Sequence, residues 1–391
     1  MSLDFLNPPA AAGPALFNAI LKQQAGDFQV RERLELELSG AGDQLYLHVE
    51  KSSMNTDELV ALLIDIYKVQ QVDVGLCGLK DRHAVTSQWF SIKTGQSAEE
   101  FSVAAEQFNA EQKAQFADSE GYCKKLRLLD SSRHARKLRR GAHAGNDFVI
   151  TLHDVSATTE PDVLHSKTLQ EAVAQRLALI AANGFPAYVG PQRFGQDGQN
   201  LRRAQQWFSK PRKRTSRQQR SLWLSAVRSA LFNHVCAARV RDGSWNHLKV
   251  GEPAVLDGTR SYFLAHMDEP DQAKQDDVNP SSKPVDVASL SARLANLDIH
   301  PSAPWWGRGR SIAAADCAQF ETQLLAEHAA LCEGLERGGL SQERRALRAV
   351  AANLTHQWLA PETLEISLSL APGVFATSFL RELCAIREPQ R

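Results

Sequence analysis

The sequence predicts an α+β fold: an antiparallel to mixed sheet with helices packed on one face, joined to a second, largely helical region. Three observations carry this. Short strand-like runs and one helix alternate over the first part of the chain. Around Thr158 the texture changes, and long helical patterns follow at roughly 161–183, 217–240 and 312–336. Near the end Leu364, Ile366, Leu368 and Leu370 alternate strictly, as in a half-buried strand. At 391 residues, two domains are expected.

Phe28, Val30, Leu34, Leu36 and Leu38 fall at strand period over 25–38. Ser39-Gly40-Ala41-Gly42 marks a turn, and Leu45–Val49 is the expected hairpin partner. Asn55 is placed to cap a helix, with Glu58 completing a capping box. Leu59, Leu62, Leu63 and Ile66 give that helix one apolar stripe. An apolar run, Val72–Leu79, then ends in Lys80-Asp81-Arg82-His83, and a second strand follows at Gln88–Ile92. The order strand, strand, helix, strand, strand suits a sheet covered on one face. At the far end Ser341 is placed to cap a helix, Pro372-Gly373 turns the last strand, and Ala376–Ile386 reads as a closing helix. Residues 267–286, with three Pro and two Ser, read as an exposed loop.

Composition excludes several classes. Hydrophobic residues make up 43 % and charged residues 23 %, ordinary values for a soluble globular protein. Net charge is zero, so any nucleic-acid role must rest on charge that is unevenly placed. The six cysteines, at 77, 123, 236, 317, 332 and 384, show no metal-ligand spacing, and a reducing compartment with free thiols is expected. No Gly-rich phosphate loop follows a strand, so no nucleotide cofactor is expected. No charged segment leads into an apolar core at the N-terminus, and no apolar run reaches spanning length. These features give a cytoplasmic, metal-free monomer as the expectation.

Asp81 lies where one strand-like run ends, between Lys80 and Arg82. Nearby cations keep a carboxylate ionised and nucleophilic, although a charged surface turn would look the same. Arg133, Arg136, Lys137, Arg139 and Arg140 lie within eight residues that hold no acid. Such a strip either contacts phosphates or is merely solvated. It runs through a Gly-rich turn into Asn146 and Phe148, and a flat aromatic at a strand start suits stacking on a base. Phe148 in isolation would equally be core. Residues 210–220 form a second basic run, including Arg212, Lys213 and Arg214, with six Lys or Arg in eleven residues. Arg193 sits in a structured loop rich in Gly, Pro and aromatics at 184–195.

Gly78-Leu79-Lys80-Asp81-Arg82-His83-Ala84-Val85-Thr86-Ser87-Gln88-Trp89-Phe90 resembles the signature of the TruD family of tRNA pseudouridine synthases. Four further segments are similar to that family, in its order. They are Lys22 with Asp27-Phe28-Gln29-Val30-Arg31-Glu32; Arg139-Arg140-Gly141 through Gly145-Asn146-Asp147-Phe148; Gly184-Phe185-Pro186-Ala187-Tyr188-Val189-Gly190-Pro191-Gln192-Arg193-Phe194-Gly195; and 372–383. The resemblance implies Asp81 as the catalytic residue, Phe148 stacked on the target base and Asn146 beside it. It also implies Lys22 near the active site, and Phe28, Lys80 and Arg193 as substrate contacts. Ala187 and Val189 depart from the family pattern, which has Asn and Phe there. In domain terms it implies a catalytic domain over 1–156 and 341–391, interrupted by an insertion over 157–340. The implied substrate is the uridine at position 13 of tRNA, in the D arm.

That chemistry needs neither redox cofactor nor metal. The N-glycosidic bond breaks, the base turns, and C5 bonds to the sugar. Asp81 could add to the sugar or the base, or take a proton from C2′. The target lies in a stem and must be flipped out. Two other readings use the same residues: a base-removing hydrolase, and an RNA-binding module without catalysis.

Overall fold

A computed structural model describes residues 6–116, 123–158, 168–209, 215–265 and 287–389. The elements of the first part are β1 (Phe17–Leu21), β2 (Phe28–Arg33), β3 (Gln44–Ser52), α1 (Thr56–Tyr67), β4 (Val74–Leu76), β5 (Val85–Lys93), α2 (Glu99–Gln115), β6 (Lys125–His134) and β7 (Gly145–Ala157). Two compact units arise. One comprises Ala15–Leu169, Ala352–Gly373 and Cys384–Arg391; the other comprises Met1–Pro14, Gln170–Ala351 and Val374–Leu383.

The first unit is built on a ten-stranded sheet. Its main path runs from strand Ala352–Ala360 through Thr363–Leu370, β7, β2, β5 and β3 to β6. β1 pairs with β7 and with Cys384–Arg387, while β4 pairs with β5. Only the β2–β5 and β1–Cys384–Arg387 pairs are parallel, so the sheet is mixed. The two-residue period of β3 sorts its side chains between faces. Leu45, Leu47 and Val49 pack with Leu59 and Leu63 of α1 and Phe101 of α2. Tyr46 packs on the other face with Cys77, Trp89 and Leu138.

The expected hairpin of 25–38 with 45–49 does not form. β2 lies between β5 and β7, and β3 lies between β5 and β6. The strand ends at Arg33, and Leu34 and Leu38 leave it to pack against the Tyr46 and Trp89 cluster. Burial of those leucines, and not pairing, produced the apolar spacing. Asn55 occupies the N-cap of α1 but makes no cap bond; its amide donates to Glu58 at 3.0 Å. Helix α2 carries too thin an apolar stripe, Phe101 and Ala105, to be legible beforehand. β4 covers only part of the run Val72–Leu79.

The second unit holds helices α3 (Leu169–Asn183), α4 (Gln199–Ser209), α5 (Arg217–Arg241), α6 (Val287–Ala295), α7 (Ala315–Leu325), α8 (Ala329–Arg337) and α9 (Ala376–Arg381). α5 starts at Ser216, whose hydroxyl accepts from Gln219 N–H at 3.2 Å. Its Val227, Leu231 and Val235 pack in one core with Phe194, Leu335 and Leu347. Two buried ion pairs, Arg239–Glu252 at 2.9 Å and Arg344–Glu321 at 2.7 Å, tie the short strands to this core. The single helix expected over 312–336 breaks at Ala326–His328 into α7 and α8. The helix expected from Ser341 is extended instead, as Glu343–Ala346 and Arg348–Ala349. Buried Arg344 must reach Glu321, Ser302 Oγ and the Ser302 carbonyl there, and the extended backbone lets it. The closing helix stops at Arg381, because Cys384–Arg387 bonds to β1 as a strand. The resemblance implies a return to the first domain at 341; the compact units part between Ala351 and Ala352, and α9 groups with the helical unit. Residues 267–286, with the loop expected there, lie outside the described residues. No described helix is long and apolar enough to cross a membrane.

Candidate active site

The loop between β4 and β5 carries Asp81, as the sequence predicted. Three neighbours brace it. The Gln88 side-chain amide donates to Gly78 O at 3.1 Å. Lys80 N–H donates to Thr56 Oγ1 at 2.9 Å. Lys51 Nζ donates to Asp81 O at 2.9 Å. The Thr56 hydroxyl in turn donates to Gln88 Oε1 at 3.1 Å, so α1 and β5 hold the loop from both sides. A loop clamped this way aims a side chain with little residual freedom.

Lys22 follows the end of β1 in a left-handed conformation, φ 59°. That kink turns its ammonium to Asp81, where Nζ lies 2.7 Å from Oδ2. The Lys22 side chain is 10 % exposed and that of Asp81 49 %, so the carboxylate is anchored from below and open to solvent. The same ammonium lies 4.6 Å from the Phe28 ring centroid. Phe28 meets Phe148 edge to face at 5.9 Å. Lys22, Phe28, Asp81 and Phe148 therefore form one contiguous group. The cation that faces Asp81 is Lys22, and the sequence neighbours Lys80 and Arg82 do not take that place.

Lys80 turns inward. Its Nζ lies 2.5 Å from Glu32 Oε2, and both side chains are buried. Glu32 Oε1 also accepts from Trp89 N–H at 3.1 Å. The Lys80 ammonium is thus paired with a buried carboxylate. Phe148 is 8 % exposed and Phe28 6 %, so little of either ring meets solvent. Asn146 stands two residues before Phe148 on the same face of β7. Its Oδ1 is buried and has no partner among the described residues.

The basic strip 133–140 divides by role. Arg133 is structural, donating to the carbonyls of Thr94 and Gln96. Lys137 reaches the Val72 carbonyl. Leu138 is buried and its N–H bonds Ser91 Oγ at 2.9 Å, which leaves Arg136, Arg139 and Arg140 exposed around it. None of Arg136, Lys137, Arg139 and Arg140 forms an ion pair with a described residue. Gly141 N–H donates to Cys77 O at 2.9 Å, joining this strip to the Asp81 loop. Arg212, Lys213 and Arg214 lie outside the described residues.

Arg193 belongs to the second unit, on a short turn at Pro191–Phe194. The residue is exposed overall, and partial burial of its guanidinium lowers it from its ordinary value. The two departures in this loop are both buried. Ala187 bonds Leu347 O through its N–H at 2.7 Å. Val189 exchanges both main-chain bonds with the Asn233 amide, at 2.8 and 2.9 Å.

Glu32, Cys77 and His143 bring ligand atoms within 4.8 Å of one another, a trio that sequence spacing could not show. Lys80 already neutralises Glu32, and burial pushes the Cys77 thiol up to about 12. Burial also lowers the His143 imidazole. A cation entering there would have to displace the Lys80 ammonium and deprotonate Cys77. The residues that sequence reasoning missed are Lys51, Thr56, Gln88 and Glu32 in its pairing role. Their partners in the loop 78–81 lie 10 to 48 residues away, so no local pattern marks them.

The chain matches the family model for tRNA pseudouridine synthase D (TruD) over residues 14–201 and 198–383. It is 39 % identical to the tRNA pseudouridine synthase D of Pseudomonas aeruginosa over 381 residues, covering 97 % of this chain and 94 % of that one. Identity to the protein of the same name from Nitrosococcus oceani is 37 %, covering 96 % and 93 % of the two chains. Among solved structures, a Methanosarcina mazei chain assigned to TruD superposes with a TM-score of 0.63 at 18 % identity, covering 97 % of this chain and 96 % of that one. With the family model spanning nearly its whole length, the chain belongs to the tRNA pseudouridine synthase D family.

Proposed function

We propose that this chain isomerises the uridine at position 13 of tRNA, in the D arm, with Asp81 as catalytic carboxylate. Family membership makes the chain a tRNA pseudouridine synthase, an isomerase acting on RNA. The observation that carries the finer reading is the Lys22–Asp81 pair at 2.7 Å, set against Phe28 and Phe148. Lys22 anchors the Asp81 carboxylate at an open position, which suits a nucleophile or a base. In the reaction C1′–N1 breaks and C1′–C5 forms. The C5 proton leaves to a base or water, and N1 gains one. Oxidation states are unchanged, so no electron donor or acceptor enters. Asp81 acts by addition to the sugar or base, or by removing the C2′ proton. A flipped base would lie along Phe148, with the unpartnered Asn146 oxygen accepting from a base N–H. Arg136, Arg139 and Arg140 would neutralise backbone phosphates. The sheet unit is the catalytic domain in this reading, and the helical unit, with Arg193, is the insertion that adds RNA contacts.

Digestion of treated tRNA to nucleosides tests the reading. Pseudouridine at position 13 supports it. Free uracil indicates a base-removing hydrolase, and unchanged uridine indicates a binding module without catalysis.

A further inference from the structure

Lys51 lies near the end of β3 and is fully buried, 0 % exposed. Its Nζ donates to two main-chain oxygens, Met54 O at 2.6 Å and Asp81 O at 2.9 Å. The charged groups around it are Asp81, Lys80 and Glu58. Glu58 is paired elsewhere, with Lys124 at 2.6 Å, and Lys80 with Glu32. Lys51 itself forms no ion pair with a described residue. A buried ammonium without a carboxylate at contact distance is costly, and its bonds to Met54 O and Asp81 O offset part of that cost. The other loop contacts, from Gln88 and Thr56, stop at Gly78 and Lys80. Among the described residues, Lys51 alone reaches the main chain of Asp81 itself.

We propose that Lys51 is a positioning residue, whose buried ammonium holds the Asp81 carbonyl and thereby aims the Asp81 carboxylate. The proposal rests on Asp81 being the catalytic group. Fixing that carbonyl fixes ψ of Asp81, and with Lys22 anchoring Oδ2 the carboxylate is held from both ends. A misplacement of about 1 Å at a reacting group costs on the order of 10²-fold in rate. Burial pulls the Lys51 ammonium down to about 8, with Asp81 opposing and Lys80 assisting. Its charge is consequently present at neutral pH and lost at mildly alkaline pH.

The experiment compares Lys51→Met with wild type on full-length protein and tRNA. The Met variant is expected to melt somewhat below wild type, since Met54 O and Asp81 O lose their donor, and to keep half-saturation within about threefold, while the saturated rate per folded molecule falls on the order of 10²-fold. The wild-type saturated rate should also fall as pH rises through about 8, and the Met variant should lack that fall. A Met variant within about threefold of the wild-type rate overturns the proposal, as does an unchanged alkaline fall. So does a loss that matches the fraction unfolded. Lys51→Gln keeps one donor without charge and should fall between the two; a Gln rate equal to wild type overturns the proposal even if the Met variant does not fold. Amide exchange across 78–84, read without tRNA, separates this proposal from the reading it rests on. If wild type forms no pseudouridine, the functional reading fails. Faster exchange confined to that loop in the variant still supports positioning, and unchanged exchange overturns it.

Discussion

Lys22 Nζ lies 2.7 Å from Asp81 Oδ2, although 59 residues separate them in sequence. Around that contact the chain assembles Phe28 and Phe148 on one side and the braced loop 78–81 on the other. The pair is a partly exposed ion pair, so its worth to folding is about 0–1 kcal/mol. Its value to a reacting carboxylate is larger, because charge is held where it is used.

Asp81→Asn should abolish pseudouridine formation while tRNA binding stays within about threefold, since Asn is nearly isosteric but is neither nucleophile nor base. Single-turnover kinetics and a binding isotherm check this together. Retention of activity within about tenfold would falsify the catalytic assignment.

Lys22→Met should lower the saturated rate on the order of 10²-fold and move the melting temperature little. A large drop in melting temperature with full activity per folded molecule would show that the lysine serves packing against Phe28.

Phe148→Ala should lose about 1–3 kcal/mol of base stacking, and Phe148→Tyr much less, since the ring face survives. The ring is 8 % exposed, so truncation also removes core packing worth about 3–5 kcal/mol. Unfolding must be followed beside kinetics. Lost stability with unchanged activity per folded molecule assigns Phe148 to the core.

Replacing Arg136, Arg139 and Arg140 by Gln should weaken tRNA binding and flatten the slope of log affinity against log salt by about 0.7–0.9 per lost phosphate contact. The saturated single-turnover rate should stay the same. The same replacement at Arg212, Lys213 and Arg214 tests the second run; unchanged affinity and slope would remove it from the RNA site.

Glu382 gives a pH prediction for stability. Burial raises its carboxyl from the ordinary 4.5 to about 7, with the main-chain amides of Ala11 and Ala12, then Arg176 and Arg381, opposing. The folded state holds the proton more tightly, so this stabilisation is complete below about 4.5 and is lost as pH rises through about 7. Denaturant melts should show a decline of about 3 kcal/mol from this group across that window, and Glu382→Gln should remove it.

Much of the site was legible along the chain. Asp81 stands at the end of an apolar run, Asn146 and Phe148 stand at a strand start, and each sits in a contiguous motif of a dozen residues or so. The strand Thr363–Leu370 and helices α1, α3 and α5 follow from periodicity, because one buried face repeats at a fixed spacing. Strand order was not legible. β2 reads as half of a hairpin with β3, yet it joins β5 in parallel and β7 in antiparallel, since pairing depends on burial across the whole sheet. The same limit applies to charge. Sequence determines that Lys22, Glu32, Lys51, Lys80 and Asp81 are present, and their local order offers Lys80 and Arg82 as partners of Asp81. Only the tertiary structure decides that Lys80 is spent on Glu32, that Lys22 faces the carboxylate, and that Lys51 grips its main chain. The physical reason is that ion pairing acts through a few ångströms of space, and the sheet brings strands β1, β2 and β3 to one loop that sequence distance keeps apart.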